Sequence, residues 1–441
     1  MEFDRDSLKR ELLCLRLFGA VTRCLLPSRL LLSLIAILLL ASFGRAWDAF
    51  AQPCARPAGL HAGSLDSNET ERGRRELRTR VFAVLGRDAY AAAPDPALIN
   101  ADAAQRALDA AADSSAPALA APGAYERLAQ EIQANRALRP FEALSQAVRA
   151  NCFGLARELL SLHCSGAVGN LKELLLDTPL AIFRAAPWFT VAFTLWSCLI
   201  IGLLGGAVCR MAVFDFGSQR APSASEAVRW AQANLRSLAG APLVGVAIAA
   251  VLLLIVWAVG LLSEVPFVRS VVALGFGLQL MLALLAVISL TTLLLGLPLL
   301  SGAIAADRCD SVEAFQRCSA YVLGRPFHAL CYATVAVLAF SSATLIADWF
   351  AGGAFNLAVE TGLAEPLRAV AGTMQLLQPE SMPIAAPAGV SGVTIGALQF
   401  WRTLVSCLIG AAMLSCAVHL AQRTYIFLRL RNDGVALSEF D

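Results

Sequence analysis

Long parts of this sequence contain almost no charged residues. Six apolar stretches, one near the start and five after residue 187, have almost no ionisable side chain in their centres. Only 15% of all residues are charged, whereas a soluble domain has about 25%. The composition therefore predicts a multi-pass membrane protein. The same absence argues against a pump or an ion-coupled transporter, because such proteins usually carry charged groups at membrane depth.

Lysine is also nearly absent, since Lys9 and Lys172 are the only two lysines beside many arginines. This bias is typical of a GC-rich bacterial genome and does not indicate a special use of the guanidinium group. The net charge of +2 is too small to indicate a nucleic-acid partner. The expected partners are the lipid bilayer and, in addition, a membrane protein or a second copy of the chain.

Closely spaced metal ligands are missing as well. The chain has twelve cysteines but no C-x-x-C pair, and it has only four histidines. Zinc sites need such pairs, so no metal site is predicted. No cofactor-binding residue and no catalytic residue is predicted either. One disulfide among Cys54, Cys152 and Cys164 remains open if their segment lies outside the cytoplasm.

Six stretches are long enough, or can be extended enough, to cross a membrane as helices of about 20 residues. They run, in chain order, over residues 30–43, 188–209, 243–262, 271–295, 328–350 and 404–420. Gly296 and Pro298 are expected to kink or end the fourth. The predicted fold is an all-α polytopic helix bundle with a helical extramembrane segment.

The predicted organisation has five parts. They are a cytoplasmic N-terminal segment (1–28), a first transmembrane helix (29–47), an Ala-rich helical periplasmic region (48–186), a five-span membrane domain (187–423) and a cytoplasmic tail (424–441). Small residues around Ala49 and Ala51 resemble a signal-peptide cleavage site. Almost 30 residues precede the apolar run, which favours an uncleaved anchor, but cleavage stays open.

Arginines in the short flanks predict the orientation. With six spans, four basic flanks fall on one side, which makes that side cytoplasmic and places both termini there. The expected location is the bacterial inner membrane. The basic flanks contain Arg5 to Arg29, Arg210 to Arg236, Arg308 to Arg325, and Arg423 to Arg431.

The region between the first two spans changes in character along its length. A charged run covers residues 69–80, and a low-complexity stretch rich in Ala and Pro covers residues 91–122. Helical periodicity improves from Tyr125 and continues in two further runs, 153–162 and 171–183. These runs predict helices that pack on each other or lie on the bilayer surface.

An internal repeat is predicted in the membrane domain. Two spans are each followed by a polar loop and a short amphipathic helix, here called an elbow helix. Ser223 with Glu226, and Asp310 with Glu313, have the spacing of a capping box at the start of each elbow helix. The first elbow helix is expected to close near Gly240 and Pro242, and the second at residues 324–326.

These stretches resemble a group of uncharacterised multi-pass membrane proteins of planctomycete-type bacteria, a domain of unknown function. The resemblance covers roughly residues 139–441 and the first span, and implies no known activity. More distantly, the elbow-helix plan is similar to a membrane domain attached to glycerophosphodiester phosphodiesterases, whose catalytic domain has no counterpart here. The residues that carry the first resemblance are Pro187, Gly205-Gly206-Ala207, Cys209-Arg210, Glu226-Ala227, Asp310 to Phe315, Tyr321 to Pro326, Tyr425 to Arg431 and Asp433-Gly434.

The leading functional hypothesis is a non-enzymatic membrane organiser or interaction partner. The alternative is a permease or lipid-handling protein without ion coupling, which would be favoured if Gln279, Ser341, Ser342 and Thr344 faced one cavity. An intramembrane enzyme is the third possibility, and it lacks a visible His/Asp/Glu cluster. His419 is expected to reach the membrane surface or bond Gln422, and Arg402 to reach lipid headgroups.

Overall fold

The computed structural model describes residues 17, 19–51, 139–215, 222–262, 264, 266–363 and 392–433. Of this part of the chain, 93% is helical and none is strand. The prediction of an all-α protein is therefore confirmed. The charged run 69–80, the Ala-rich stretch 91–122 and the position of Cys54 lie outside the described residues.

Six helices are long and apolar enough to span a membrane, so the protein is an integral membrane protein. The shortest has 24 residues, so each exceeds the length that a bilayer requires. Spans 1 to 6 are Pro27–Phe50, Pro187–Phe214, Leu235–Leu262, Phe276–Asp307, Pro326–Gly362 and Gly396–Asp433.

Several helices are longer than their apolar runs. Span 4 continues past Pro298 to Asp307, so of the two expected effects of Gly296 and Pro298, an end of the helix does not occur. Neighbouring helices can compensate for the backbone hydrogen bond that a proline removes inside a membrane span. The helix of span 6 begins at Gly392 and continues to Asp433, ten residues beyond 423, where the membrane domain was predicted to end, and residues 425–428 are buried.

The chain forms two compact units. The first contains residues 1–40, 194–347 and 407–441. Its core is built from span residues such as Leu204, Leu300 and Ile304, together with Phe315 and Tyr321 of the second elbow helix. The elbow helices are therefore part of this core and not only surface elements.

Both elbow helices begin where their caps predict. The first is Ala224–Ala233, and Ser223 and Glu226 form a complete capping box. The second is Ser311–Gly324, and the Asp310 side chain accepts the Glu313 N–H at 2.8 Å. The first ends earlier than expected, at Ala233, and span 3 then begins at Leu235, upstream of Gly240 and Pro242.

Small residues allow close helix packing in the first unit. A Cβ atom added at Gly206 would lie 2.7 Å from the Leu238 side chain, and one added at Gly202 would lie 3.1 Å from the Ala239 backbone nitrogen. One added at Gly245 would lie 2.7 Å from Phe315. These three glycines therefore lie where a neighbouring helix approaches closely.

The second unit contains residues 41–193 and 348–406. Its described extramembrane helices are Pro140–Leu160, Cys164–Lys172 and Thr178–Ala185, with a π-helical turn at Glu173–Asp177. Phe189 and Ile182 are buried with Ala143 and Ala147, and Trp47 packs against this cluster. The helix Pro140–Leu160, which continues through most of the second periodic run, packs on the helix Thr178–Ala185 of the third run, as one of the two predictions stated. Residues 125–138 of the first run lie outside the described residues.

Candidate functional site: two buried charge clusters

The first cluster joins residues from three spans of the first unit. Arg29 lies in the first turn of span 1, Asp215 directly follows span 2, and His419 lies in span 6. Nη2 of Arg29 is 2.8 Å from Oδ1 of Asp215, and Nη1 of Arg29 is 3.2 Å from Nδ1 of His419. The Arg29 and His419 side chains are 2% and 0% exposed. We call this group the Arg29 cluster.

The contact with Arg29 determines the tautomer of His419. A guanidinium group can only donate hydrogen bonds, so Nδ1 of His419 must accept and carries no proton. Neutral His419 then carries its proton on Nε2, which lies 3.6 Å from Oδ2 of Asp215. Asp215 therefore faces a cation through one oxygen and an imidazole N–H through the other.

The cluster also holds the short helix Gly19–Cys24, which precedes span 1. Nη1 of Arg29 donates to the Arg23 carbonyl at 3.1 Å, and Nη1 of Arg23 donates to the Asp215 carbonyl at 2.8 Å. On the other side, the Ser415 hydroxyl donates to the Cys24 carbonyl at 2.7 Å. The bonds to the Arg23 and Cys24 carbonyls satisfy acceptors at the end of the short helix, just before span 1 begins.

The second cluster centres on Asp307, the last residue of span 4, whose side chain is 2% exposed. Oδ2 of Asp307 accepts from Nη1 of Arg317 at 2.7 Å and from the Tyr425 hydroxyl at 2.5 Å. Oδ1 lies 2.6 Å from Nη1 of Arg429. One carboxylate thus joins span 4, the second elbow helix and span 6. We call this group the Asp307 cluster.

Neighbouring groups extend the Asp307 cluster toward the C-terminal end of span 6. The Tyr321 hydroxyl donates to Oδ2 of Asp433 at 2.5 Å. Burial and this hydrogen bond raise the pKa of Tyr321 above its ordinary value, so the phenol stays neutral and keeps donating. Burial alone would lower the pKa of Arg317, but hydrogen bonds to Glu313 and Asp307 outweigh it and raise the pKa.

In the second unit, a carboxylate of span 1 caps an extramembrane helix. Oδ1 and Oδ2 of Asp48 accept the backbone N–H groups of Phe141 and Glu142 at 3.0 and 2.9 Å. These are unpaired donors in the first turn of the helix Pro140–Leu160. Arg139, at the N-cap position, has no capping hydrogen bond of its own. Asp48 therefore supplies the cap from a distant part of the chain.

Polar residues inside the spans behave in two ways. The hydroxyls of Ser342 and Thr291 bond carbonyls of their own helices, at Leu338 and Val287, both at 2.8 Å. Those of Ser341 and Thr344 are buried in the first unit and have no hydrogen-bond partner among the described residues. They lie three positions apart, on one face of span 5.

Two single-residue predictions were wrong. His419 does not reach the surface or bond Gln422, because it is fully buried and bonds Arg29 instead. Arg402 is only 7% exposed and is therefore not open to lipid headgroups. Both predictions assumed that a polar side chain near a span end turns toward water, whereas each of these side chains turns into the protein.

Cysteines and possible metal ligands give no site in the described part of the chain. No three His, Cys, Asp or Glu side chains there are arranged to hold a metal ion. Cys152 is a buried free thiol, and Cys164 is an exposed one. Burial raises the pKa of Cys152 to about 11, so this thiol is protonated and unreactive at neutral pH.

Sequence reasoning missed both charge clusters. The charges of Arg29, Asp215 and Asp307 are visible in the sequence at the ends of apolar stretches. These residues are separated by up to 278 positions, so no local pattern shows which charges meet. A usable signal was present, since each acidic residue ends a span on the side where the basic flanks lie. An acid at such a position has arginines of several spans within reach.

No protein-family model matches this chain, and comparison with curated proteins and with solved structures gives no significant match. The resemblance to planctomycete-type membrane proteins therefore stays a prediction.

Proposed function

We propose that this protein is a non-enzymatic organiser of the bacterial inner membrane, whose bundle holds a fixed arrangement and serves as a binding partner for other membrane proteins. The observation that carries this proposal is the Asp307 cluster. Its single carboxylate is bound by Arg317, Arg429 and Tyr425 from two other helices. A charge that is saturated in this way joins helices and has no free face for a substrate.

The Arg29 cluster supports the same proposal. Asp215 and His419 resemble an acid–base pair, but Nδ1 of His419 is occupied by a permanent cation and Nε2 faces the acid. A general base needs an open lone pair within reach of a substrate proton. Neither nitrogen of His419 offers one in this arrangement.

The proposed orientation places both termini in the cytoplasm. Six spans put the two ends of the chain on the same side, and arginines concentrate at one end of the first unit. Arg23 and Arg29 bond Asp215 at the end of span 2. At the end of span 4, Arg210 bonds the Ala305 carbonyl, Arg429 bonds Asp307, and Arg308 follows directly in the chain. The basic end is therefore assigned to the cytoplasm.

The second candidate function is a permease or lipid-handling protein. Ser341 and Thr344 favour it, because two buried hydroxyls on one face of span 5 lack partners in the described chain. Ser342 opposes it, because its hydroxyl bonds its own helix. The Asp307 cluster also opposes it, since sliding or rocking of spans 4 and 6 would break both the hydrogen bond from Tyr425 and the ion pair with Arg429.

The test is purification of the tagged full-length protein in a mild, lipid-preserving detergent, followed by mass spectrometry of everything that stays bound. The organiser proposal expects a stoichiometric protein partner whose yield is unchanged in the variant S341A/T344A. A different result would favour the permease function over the organiser proposal: one enriched solute or lipid and no protein partner, with the solute or lipid lost in S341A/T344A. A chain that carries neither would contradict both.

The enzyme alternative has its own test. Glu264→Ala and His328→Ala alter exposed residues, whereas His419→Ala would break a buried hydrogen bond and lower stability for a structural reason. His419→Gln keeps a side-chain acceptor and a donor and is the better variant at this position. Normal growth and normal protein levels with all three variants are expected.

A further inference from the structure

Arg210 is an arginine without an acidic partner in the described part of the chain. It lies in the last turns of span 2, where its Nη1 donates to the Ala305 carbonyl at 2.8 Å. Its guanidinium carbon is 4.7 Å from the ring centre of Phe214 and 5.1 Å from that of Trp230. These contacts position the guanidinium but use only one of its five N–H donors.

A second cation without an acidic partner among the described residues lies nearby. Arg308 directly follows span 4 and is exposed. It adopts a left-handed backbone conformation (φ 55°, ψ 31°), which is uncommon for a residue with a side chain. The carbonyl that holds Arg210 belongs to Ala305, three positions before Arg308, so the Arg210 guanidinium is bound to the last turn of span 4, just before Arg308.

The neighbouring carboxylate does not neutralise this pair. Asp307 precedes Arg308 in the chain, but its oxygens are bound by Arg317, Arg429 and Tyr425. By comparison, three other arginines of the first unit, Arg29, Arg317 and Arg429, each have a carboxylate within 2.8 Å. Two adjacent positive charges without such a partner are stabilised by an external anion.

We propose that Arg210 and Arg308 together bind a phosphate group, supplied by an anionic lipid headgroup or by a free phosphate ion. Both residues lie at the ends of membrane spans, at the depth where hydrocarbon meets water and lipid phosphates are found. The planar fork of a guanidinium matches two phosphate oxygens, and phosphate is a preferred ligand of paired arginines. The aromatic rings of Phe214 and Trp230 hold the Arg210 fork in place before the ligand arrives.

The site does not depend on the organiser proposal, because an organiser and a permease could both use it. The test uses the purified full-length protein in a mild detergent and a buffer without phosphate. Three ligands are titrated separately: short-chain phosphatidylglycerol, short-chain phosphatidylcholine and inorganic phosphate. The readouts are the midpoint of thermal unfolding and, by native mass spectrometry, the number of bound lipids.

For the unaltered protein, we expect saturable binding of one phosphatidylglycerol and a rise in the unfolding midpoint. In the variant R210A/R308A, the Kd for phosphatidylglycerol should increase at least about tenfold, because charge-assisted hydrogen bonds to the phosphate are lost. R308A alone changes an exposed residue and should show a smaller increase while folding normally. R210K keeps the charge but loses the fork, and should also bind more weakly.

The matched control is R184A, which removes an exposed arginine in the second unit. It should bind phosphatidylglycerol as the unaltered protein does. If inorganic phosphate reproduces the effect and competes with the lipid, the source is a free phosphate; if only phosphatidylglycerol binds, the source is a lipid headgroup. Equal binding by the unaltered protein, R308A and R210A/R308A, or no binding of either ligand, would overturn the proposal.

Discussion

Arg29 and His419 are separated by 390 positions in the chain, yet Nη1 of Arg29 lies 3.2 Å from Nδ1 of His419. The two residues come from the first and the last span, and both side chains are buried. Their contact and the 2.8 Å ion pair between Arg29 and Asp215 join spans 1, 2 and 6 at one end.

Asp215→Asn should lower the free energy of unfolding by about 3–5 kcal/mol, because it leaves the buried Arg29 without its counter-charge. The matched control is Asp177→Asn, which alters an exposed ion pair between Lys172 and Asp177 at 3.3 Å and should cost less than about 1 kcal/mol. The measurement is thermal unfolding in detergent. The double variant R29M/D215N should recover part of the loss, since no charge is then left unpaired. Equal effects of D215N and D177N would contradict the structural role of the Arg29 cluster.

Gly245→Ala should destabilise the protein by about 1–3 kcal/mol, because the added Cβ would lie 2.7 Å from Phe315 and 2.8 Å from Leu293. Gly277→Ala is the control in another span, where nothing lies within 4 Å of the added atom. The control should be neutral or slightly stabilising, since alanine favours helix formation more than glycine does. The unfolding midpoints of the two variants provide the comparison. If G245A unfolds at the same temperature as G277A, span 3 does not pack closely at Gly245.

Cys152 should resist alkylation at neutral pH and react faster as the pH rises. Its pKa is raised to about 11 by burial, and the thiolate is the reactive form. Below that pKa the thiolate fraction grows about tenfold per pH unit, so the alkylation rate of Cys152 should also rise about tenfold per pH unit between pH 8 and 10. Peptide mapping after iodoacetamide treatment measures this rate, and the exposed Cys164 serves as the reference that is modified at pH 8. Rapid, pH-independent modification of Cys152 would mean that the thiol is not buried.

Asp48→Ala should loosen the start of the helix Pro140–Leu160. Its carboxylate accepts the N–H groups of Phe141 and Glu142, and losing a cap costs about 1–2 kcal/mol. Hydrogen–deuterium exchange should therefore speed up at these two amides. Asp48→Asn keeps one acceptor oxygen and should give an intermediate effect, while amides of the second elbow helix serve as the internal reference. Unchanged protection at Phe141 and Glu142 in D48A would show that another group supplies the cap.

The features that could be predicted from the sequence are those set by local physical chemistry. Six apolar runs predict six spans, because any helix of that length and composition is stable only in hydrocarbon or in a core. The starts of both elbow helices were predicted correctly, since a Ser or Asp followed three positions later by Glu satisfies the first free N–H groups of a helix. Helix ends were predicted less well, because Pro298 and the polar residues after Arg423 are tolerated in helices that neighbours support.

The sequence by itself determined the class of protein, the number of spans and the residues that begin the elbow helices. Only the tertiary structure decided which charges meet. Asp307 binds Arg317, ten positions away, and also Arg429, more than a hundred positions away. Nothing in the local pattern distinguishes these partners from the adjacent Arg308, which has no acidic partner among the residues that the structure describes. Pairing depends on which helix ends pack together and how each helix is rotated, and these are set by the contacts of the whole first unit.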